Sequence, residues 1–268
     1  SLTGSIMQLK VDGELAYIAT GNRPQDSEKP TVLFIHGTGQ DHTIWVLPAR
    51  YFARHDRNVL AVDLPGHGRS GGQPLNTIEE MADWVIEVLD TVGLSTAAIV
   101  GHSLGSLVAI AAAGRHPERV RSLALVGVTV PMPVSPYLLE CAERDEHRAI
   151  EMLNFWGFSK SAQLGGSPAP GNWMLGGGMR LMETARPGVI YTDLNACNEY
   201  IEGLDHASNI RCPALLILGE RDILTPARSA QTVVKALPDA ETVVMSGSGH
   251  ALLAEQPDPV LDQLIRVV

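Results

Sequence analysis

Residues 97–113 read AAIVGHSLGSLVAIAAA and predict a strand, a sharp turn and a helix in direct succession. The apolar run 97–100 is typical of a buried strand, and the Ala- and Leu-rich run after it lacks proline and suits a helix. The junction holds the pattern G-x-S-x-G, in which small residues on both sides leave room for a tight bend. The bend would expose the hydroxyl of Ser103, which makes this serine the predicted nucleophile.

The same five-residue pattern occurs a second time, as GRSGG at 68–72. Ser70 lies in the Gly- and Pro-rich stretch 65–74, and no helix-like run follows it directly. A serine needs a base beside it and an exposed position to act as a nucleophile. We therefore predict that Ser103 is the nucleophile and Ser70 is not. The alternative for Ser103 is a serine in a tight structural turn or a non-catalytic copy of the motif.

Apolar runs and longer helix-like segments alternate on both sides of this stretch, which predicts a mostly parallel central sheet covered by helices. The Asp12-Gly13 pair favours a hairpin between the first two strands, which gives an antiparallel edge. Thr225 is the expected N-cap of a helix that starts at Pro226. The clearest continuous apolar runs, typical of strands buried on both faces, are 31–35, 59–62, 97–100, 122–126 and 214–218, with 242–245 as a further candidate.

The regular alternation stops between residues 126 and 211, a gap of about 80 residues that is far longer than an ordinary connection. Helix-like pieces are expected at 136–158 and 178–200. We predict a helical cap at 129–208, inserted into an α/β core formed by 1–128 and 209–268. The alternative is a helical subdomain with a small core of its own. The cap is rich in Met and aromatic residues, so Trp173 and Met179, with His102 beside the nucleophile, are the expected substrate-binding residues.

A catalytic base and its orienting acid are expected in loops that follow late strands. Among nine His, only His250 follows a strand through a glycine-rich bend, residues 246–249. Asp222 comes shortly after the strand at 214–218 and would accept the imidazole N–H. Glu220 and, more remotely, Asp205 compete for that role. The sequence thus predicts a triad of Ser103, Asp222 and His250.

A glycine-rich turn, HGTG at 36–39, follows the apolar run 31–35. Backbone N–H groups in such a turn can face a developing negative charge. We predict an oxyanion hole formed by the N–H groups of Thr38 and of Leu104, the residue after the nucleophile. The alternative is that the turn is only structural.

Composition excludes several other classes of function. The net charge of −10 argues against nucleic acid as a partner, since phosphate binding needs clustered Lys and Arg. No uncharged apolar stretch has the roughly 18 residues of a membrane span, and residues 1–10 do not look like a signal peptide. The three cysteines, Cys141, Cys197 and Cys212, lie far apart and match no zinc or disulfide pattern. We expect a cytoplasmic location, no metal and no cofactor.

The motifs HGTG (36–39), DLPGHGRS (63–70), GHSLG (101–105), LGERD (218–222) and GSGH (247–250) occur in the order found in the α/β-hydrolase superfamily. The chain resembles the serine esterase-like branch with a helical cap; haloalkane dehalogenases and epoxide hydrolases carry Asp where this chain has Ser103. The resemblance implies the α/β-hydrolase fold and cleavage of small or medium apolar ester-like substrates through an acyl-enzyme. The alternatives are lactone, thioester or amide hydrolysis, cofactor-independent oxygenation, or a receptor-like binder without turnover.

Overall fold

A computed structural model describes residues 6–169 and 171–268 of the chain. Part of the segment considered for a signal peptide, residues 1–5, lies outside the described residues. Eight strands form one sheet in the order β1-β2-β4-β3-β5-β6-β7-β8. Their bounds are β1 Ile6–Val11, β2 Glu14–Ala19, β3 Thr31–Ile35, β4 Asn58–Val62, β5 Ala97–His102, β6 Val120–Val126, β7 Ala214–Gly219 and β8 Ala240–Met245.

The sheet is mostly parallel, and the predicted α/β-hydrolase fold class is confirmed. Strands β3 to β8 pair in parallel, while β1 and β2 form an antiparallel hairpin at one edge. Asp12 and Gly13 both have positive φ, 52° and 80°, the geometry that a two-residue hairpin turn requires. Strands β3, β4, β5 and β7 are buried along their whole length, which explains why they read as continuous apolar runs.

Helices cover both faces of the sheet and form two large apolar clusters with it. No helix among the described residues is long and apolar enough to cross a bilayer. The helices are α1 Val46–Arg54, α2 Ile78–Val92, α3 Leu104–Arg115, α4 Pro136–Glu143, α5 His147–Gly157, α6 Lys160–Gln163, α7 Met174–Glu183, α8 Val189–Glu199, α9 Gly203–Ser208, α10 Gln231–Ala236, α11 Leu252–Glu255 and α12 Pro257–Ile265.

Between β6 and β7 the chain leaves the sheet and forms α4 to α9. The helix expected at 136–158 is two helices, because Asp145 takes a positive φ of 53° between α4 and α5. Two small apolar clusters lie within this segment. Residues Ala196, Cys197, Tyr200 and Ala207 instead pack into the main core. The division into a core and a cap at 129–208 stays a prediction, and its last two helices share the packing of the core.

One helix boundary differs from expectation. Instead of a helix that starts at Pro226, a short 3-10 turn, Ala227–Ala230, precedes α10. Thr225 is not its N-cap: Pro226 occupies that position, and no side chain caps the turn. The hydroxyl of Thr225 instead donates to the carboxylate of Asp222 at 2.7 Å, a charge-assisted hydrogen bond.

Candidate active site

Ser103 lies in a strained turn between β5 and α3. Its backbone angles are φ 55° and ψ −117°, a region that L-residues rarely adopt. Two glycines permit this geometry, since a Cβ on Gly101 would overlap the carbonyl of Gly105, and one on Gly105 would overlap that of Ile35. The strand, the helix and the edge of β3 therefore meet too closely for any side chain at either position. The turn leaves Ser103 at the wall of a cavity.

His250 and Asp222 come together in the loops that follow β8 and β7. The Nδ1–H of His250 donates to Oδ2 of Asp222 at 2.7 Å. The other carboxylate oxygen accepts the backbone N–H groups of Leu224 and Thr225, at 2.9 and 2.8 Å. Burial raises the pKa of Asp222, but the neighbouring His250 and the hydrogen bonds from Thr225 outweigh burial, and the pKa lies below its ordinary value. The carboxylate is therefore charged at neutral pH.

The bond to Asp222 fixes which nitrogen of His250 is free. Because Nδ1 carries the proton, Nε2 offers a lone pair, and His250 lines the same cavity as Ser103. Gly127, which follows β6 with φ 62°, lies against the ring: a Cβ there would be 3.0 Å from Cε1. Sequence reasoning missed both Gly127 and Thr225, whose only local signals are a glycine after a strand and an N-cap residue type.

His102 supports His250 from the other side. Its Nε2–H donates to the backbone carbonyl of His250 at 2.9 Å, and the two ring centroids are 4.8 Å apart. Burial, together with the nearby His250, lowers the pKa of His102 to about 3. His102 is therefore neutral, and among the described residues its Nδ1 has no hydrogen-bond partner. His102 lies in the wall of the cavity, and its role in substrate binding stays a prediction.

The turn at 36–39 and the start of α3 each present one unused N–H group beside Ser103. The N–H of Gly37 donates to Oε1 of Gln40 at 3.1 Å, and that of Gly39 donates to Oδ2 of Asp193 at 2.9 Å. Between them, the N–H of Thr38 donates to no acceptor in the described parts of the chain, and neither does that of Leu104 at the start of α3. Thr38 lines the cavity and Leu104 directly follows Ser103, so two free donors beside Ser103 suit an anion that forms during a reaction.

The cavity beside Ser103 has a volume of about 220 Å³ and is mostly apolar. Its lining, within the described residues, contains no Lys, Arg, Asp or Glu. A second cavity of about 410 Å³ shares part of this wall and is likewise free of those four residue types. The shared residues are Gln40, His102, Leu153, Met182 and His250. The apolar wall of the first cavity includes Met132, Val134, Leu138, Leu153, Met182 and Leu194.

The structure does not bring Trp173 and Met179, two of the three residues expected in the substrate site, to either cavity. Trp173 precedes α7 and is 60% exposed. Met179 packs on the small cluster around Phe158. Met182, one turn further along α7, is the residue of this helix that lines the cavity beside Ser103. Composition indicated the right segment but not which face of the helix points inward.

Three potential metal ligands lie close together outside the cavity, although no local spacing predicted them. Asp41, His42 and Asp63 have ligand atoms within 4.8 Å of one another. Asp63 already accepts both the N–H and the Nδ1–H of His42, at 2.7 and 2.8 Å, and the N–H of Arg69 at 2.9 Å. Asp41 accepts the N–H of Thr43. These contacts brace two loops, and the cluster is explained without an ion.

The chain is similar to known hydrolases over most of its length. A family model described as the alpha/beta hydrolase family matches residues 32–263. The chain is 24% identical to the (E)-2-((N-methylformamido)methylene)succinate hydrolase of Acinetobacter baylyi, with 92% of this chain and 93% of that protein covered. It is 29% identical to the pimeloyl-[acyl-carrier protein] methyl ester esterase of Chromobacterium violaceum (83% and 87% covered). The solved structure of a thermophilic esterase superposes with a TM-score of 0.78, at 26% identity and 98% and 97% coverage.

Proposed function

Since the chain belongs to the alpha/beta hydrolase family, we propose that it is a serine hydrolase that cleaves uncharged carboxylic esters with Ser103 as its nucleophile. Hydrolase activity of this family's type is common to the relatives that it matches. One observation carries the proposal: Ser103 and the base His250 line an uncharged cavity at which two backbone N–H groups are unused. Ester cleavage needs this combination of nucleophile, base and anion donors.

The proposed reaction has two halves. As Ser103 Oγ attacks the ester carbonyl carbon, Nε2 of His250 takes its proton, and the resulting oxyanion accepts the N–H groups of Thr38 and Leu104. The carboxylate of Asp222 stabilises the imidazolium. Collapse expels the alcohol, which takes the proton from His250 and leaves the acyl group on Ser103. Water then attacks the acyl carbon with His250 again as base, and the acid is released.

The lining of the cavities supports an uncharged substrate. A carboxylate buried there would meet no cationic side chain among the described lining residues, and an unpaired buried charge is strongly unfavourable. The Acinetobacter relative is named for a succinate derivative, which carries carboxylates. The described residues that line the two cavities include no cation to hold such a substrate. The volume of about 220 Å³ beside Ser103 suits a group of modest size.

A matched pair of esters tests this function directly. 4-Nitrophenyl butyrate and 4-nitrophenyl hemisuccinate share a four-carbon acyl chain, but the second ends in a carboxylate. We expect kcat/KM for the butyrate to exceed that for the hemisuccinate by about 100-fold or more, a difference of about 2.7 kcal/mol. Equal values would contradict the proposed substrate class.

A second measurement tests the nucleophile. A fluorophosphonate probe should label the wild-type protein and the Ser70→Ala variant, but not Ser103→Ala. Labelling without turnover of any ester, thioester or lactone would contradict the proposed hydrolysis. Absence of labelling in wild type would favour a receptor-like binder.

A further inference from the structure

We propose that Asp193, on α8, is a positioning residue of the oxyanion hole, and that it acts as a buried charged pair with His67. The inference rests on the proposed function for its catalytic meaning. Asp193 belongs to the predicted cap, whereas Gly39 and His67 belong to core loops after β3 and β4. The pair therefore joins the cap to the turn that presents Thr38.

Asp193 is fully buried and binds two groups through one oxygen. Its Oδ2 accepts the backbone N–H of Gly39 at 2.9 Å and the Nε2–H of His67 at 2.6 Å. Its Oδ1 has no hydrogen-bond partner in the described residues. Ile190, one turn earlier on α8, packs so closely on Gly39 that a Cβ there would lie 2.8 Å from its Cγ1. This helix thus holds Gly39 by both a hydrogen bond and packing.

The two nitrogens of His67 both face acceptors. Nδ1 lies 2.9 Å from the carbonyl oxygen of Pro65, and Nε2 faces the carboxylate of Asp193. A carbonyl oxygen only accepts, so Nδ1 carries a proton. With Asp193 ionised, Nε2 carries the second proton, and we infer that His67 is an imidazolium. Burial lowers its pKa, but Asp193 outweighs burial and holds the pKa of His67 above its usual range.

The other titratable groups around Asp193 and His67 do not take the place of either partner in the charged pair. His36 stacks on His67 with ring centroids 4.9 Å apart; its Nδ1–H donates to the Gly37 carbonyl and its Nε2 accepts the N–H of Leu64. Burial, aided by His67, lowers the pKa of His36 to about 4, so it is neutral.

Two further titratable groups lie near the pair, one in the chain segment of His67 and one on the helix of Asp193. Asp63, whose bonds go to His42 and Arg69, adds negative charge near His67. Cys197, on α8, is a buried thiol whose pKa is raised by burial and by Asp193, and it bonds the Thr38 side chain. The neutral His36 and this protonated thiol leave Asp193 as the anion in direct contact with His67.

This arrangement fixes the peptide N–H of Thr38 from both sides. Gln40 holds the preceding N–H of Gly37, and Asp193 holds the following N–H of Gly39. An oxyanion donor contributes fully only when it is oriented before charge develops. Loss of Asp193 should therefore weaken binding of the transition state much more than binding of the substrate.

Kinetics of three variants test the role. For 4-nitrophenyl butyrate we expect Asp193→Ala to lower kcat about 10- to 100-fold with KM changed less than about threefold. Affinity for a trifluoromethyl ketone, whose hemiketal oxyanion fills the hole, should fall by the same factor as kcat/KM. Asp193→Asn keeps an acceptor but no charge, so its loss should be smaller.

Arg186 provides the matched control. It also joins the cap segment to a core loop, through the carbonyls of Gly68 and Ser70 at 3.0 and 2.8 Å, but it does not touch Gly39. Arg186→Ala should keep kcat within about threefold. An equal loss in Arg186→Ala, or unchanged kcat and ketone affinity in Asp193→Ala, would overturn the positioning role.

A spectroscopic readout separates this inference from the proposed function. Long-range ¹H–¹⁵N spectra should show both nitrogens of His67 protonated up to a higher pH in the wild-type protein than in Asp193→Asn. A neutral His67 in an active wild-type enzyme would overturn the charged pair. A protonated His67 in a protein that cleaves no ester would support the pair and contradict the hydrolysis. In an active enzyme, kcat should fall as pH rises through the raised pKa of His67. This fall in kcat should occur at a lower pH in Asp193→Asn. In Arg186→Ala it should occur at the same pH as in wild type.

Discussion

Replacing Ser70 with alanine should lower the free energy of unfolding by about 2–4 kcal/mol and leave turnover within a few-fold of wild type. Ser70 is 1% exposed. Its hydroxyl donates to the Asp63 carbonyl at 2.6 Å and accepts the Tyr17 N–H at 2.9 Å. Alanine removes both bonds and leaves two buried backbone groups without this partner. Each such group costs about 1–2 kcal/mol, within the usual range for a buried group that loses its partner, which gives the magnitude stated.

Replacing Ser103 with alanine should have the opposite effect: turnover is lost and stability is kept. The Ser103 side chain makes no capping hydrogen bond at the start of α3, and alanine tolerates the turn about as well as serine does. The free energy of unfolding should therefore change by less than about 1 kcal/mol, while kcat falls by about 10⁶.

Thermal denaturation followed by circular dichroism, with ester hydrolysis on the same preparations, measures both effects. Ser70→Ala should melt on the order of 5–12 °C lower, and Ser103→Ala close to wild type. If Ser70→Ala instead loses activity with an unchanged Tm, or if Ser103→Ala keeps more than a few per cent of kcat, the assignment of the two motifs is refuted.

Three further outcomes are expected. Gly105→Ala should fail to fold, because its Cβ overlaps a β3 carbonyl. Gly177→Ala, in open space on α7, should raise the free energy of unfolding by about 0.5–1 kcal/mol. Soluble yield and Tm measure the two effects. Burial holds the pKa of His36 at about 4 and of His102 at about 3, so unfolding, which lets both protonate, should become easier as pH falls below about 6.5. Denaturant titrations should show up to about 1.4 kcal/mol per pH unit for each histidine, and His102→Gln should lower the slope. Asp222→Asn should lower kcat about 10⁴-fold with little change in KM, and initial rates check this.

The sheet and the turn at Ser103 could be predicted because their signals are local. A strand that is buried on both faces has a continuous apolar sequence. The close approach of β5 to α3 requires glycine at positions 101 and 105. The partners predicted for Ser103, namely Asp222 and His250, could be named because each follows a strand at the same edge of a parallel sheet. Their catalytic roles stay predictions, although the structure brings Asp222 and His250 into contact.

The remaining contacts depend on distant packing that leaves no local pattern. Asp193 and His67 are 126 residues apart in the chain, and no sequence motif links the two. Thr225 has the residue type of an N-cap, and only the folded chain shows that its hydroxyl donates to the buried Asp222 carboxylate and caps no helix. Trp173 and Met179 were expected in the site from composition, which does not specify the inward face of α7.

The positive φ of Ser103 has an evolutionary consequence. A backbone at φ 55° suits glycine better than any residue with a side chain, so a glycine at this position would relax the turn by roughly 1 kcal/mol. Selection for a stable fold alone would therefore remove the hydroxyl, and under the proposed function selection for turnover retains it. A descendant of this protein that was no longer required to turn over substrate would lose the proposed nucleophile through single substitutions that leave the surrounding cavity intact. The step from an enzyme to a protein that only binds small apolar molecules is, for this architecture, energetically downhill.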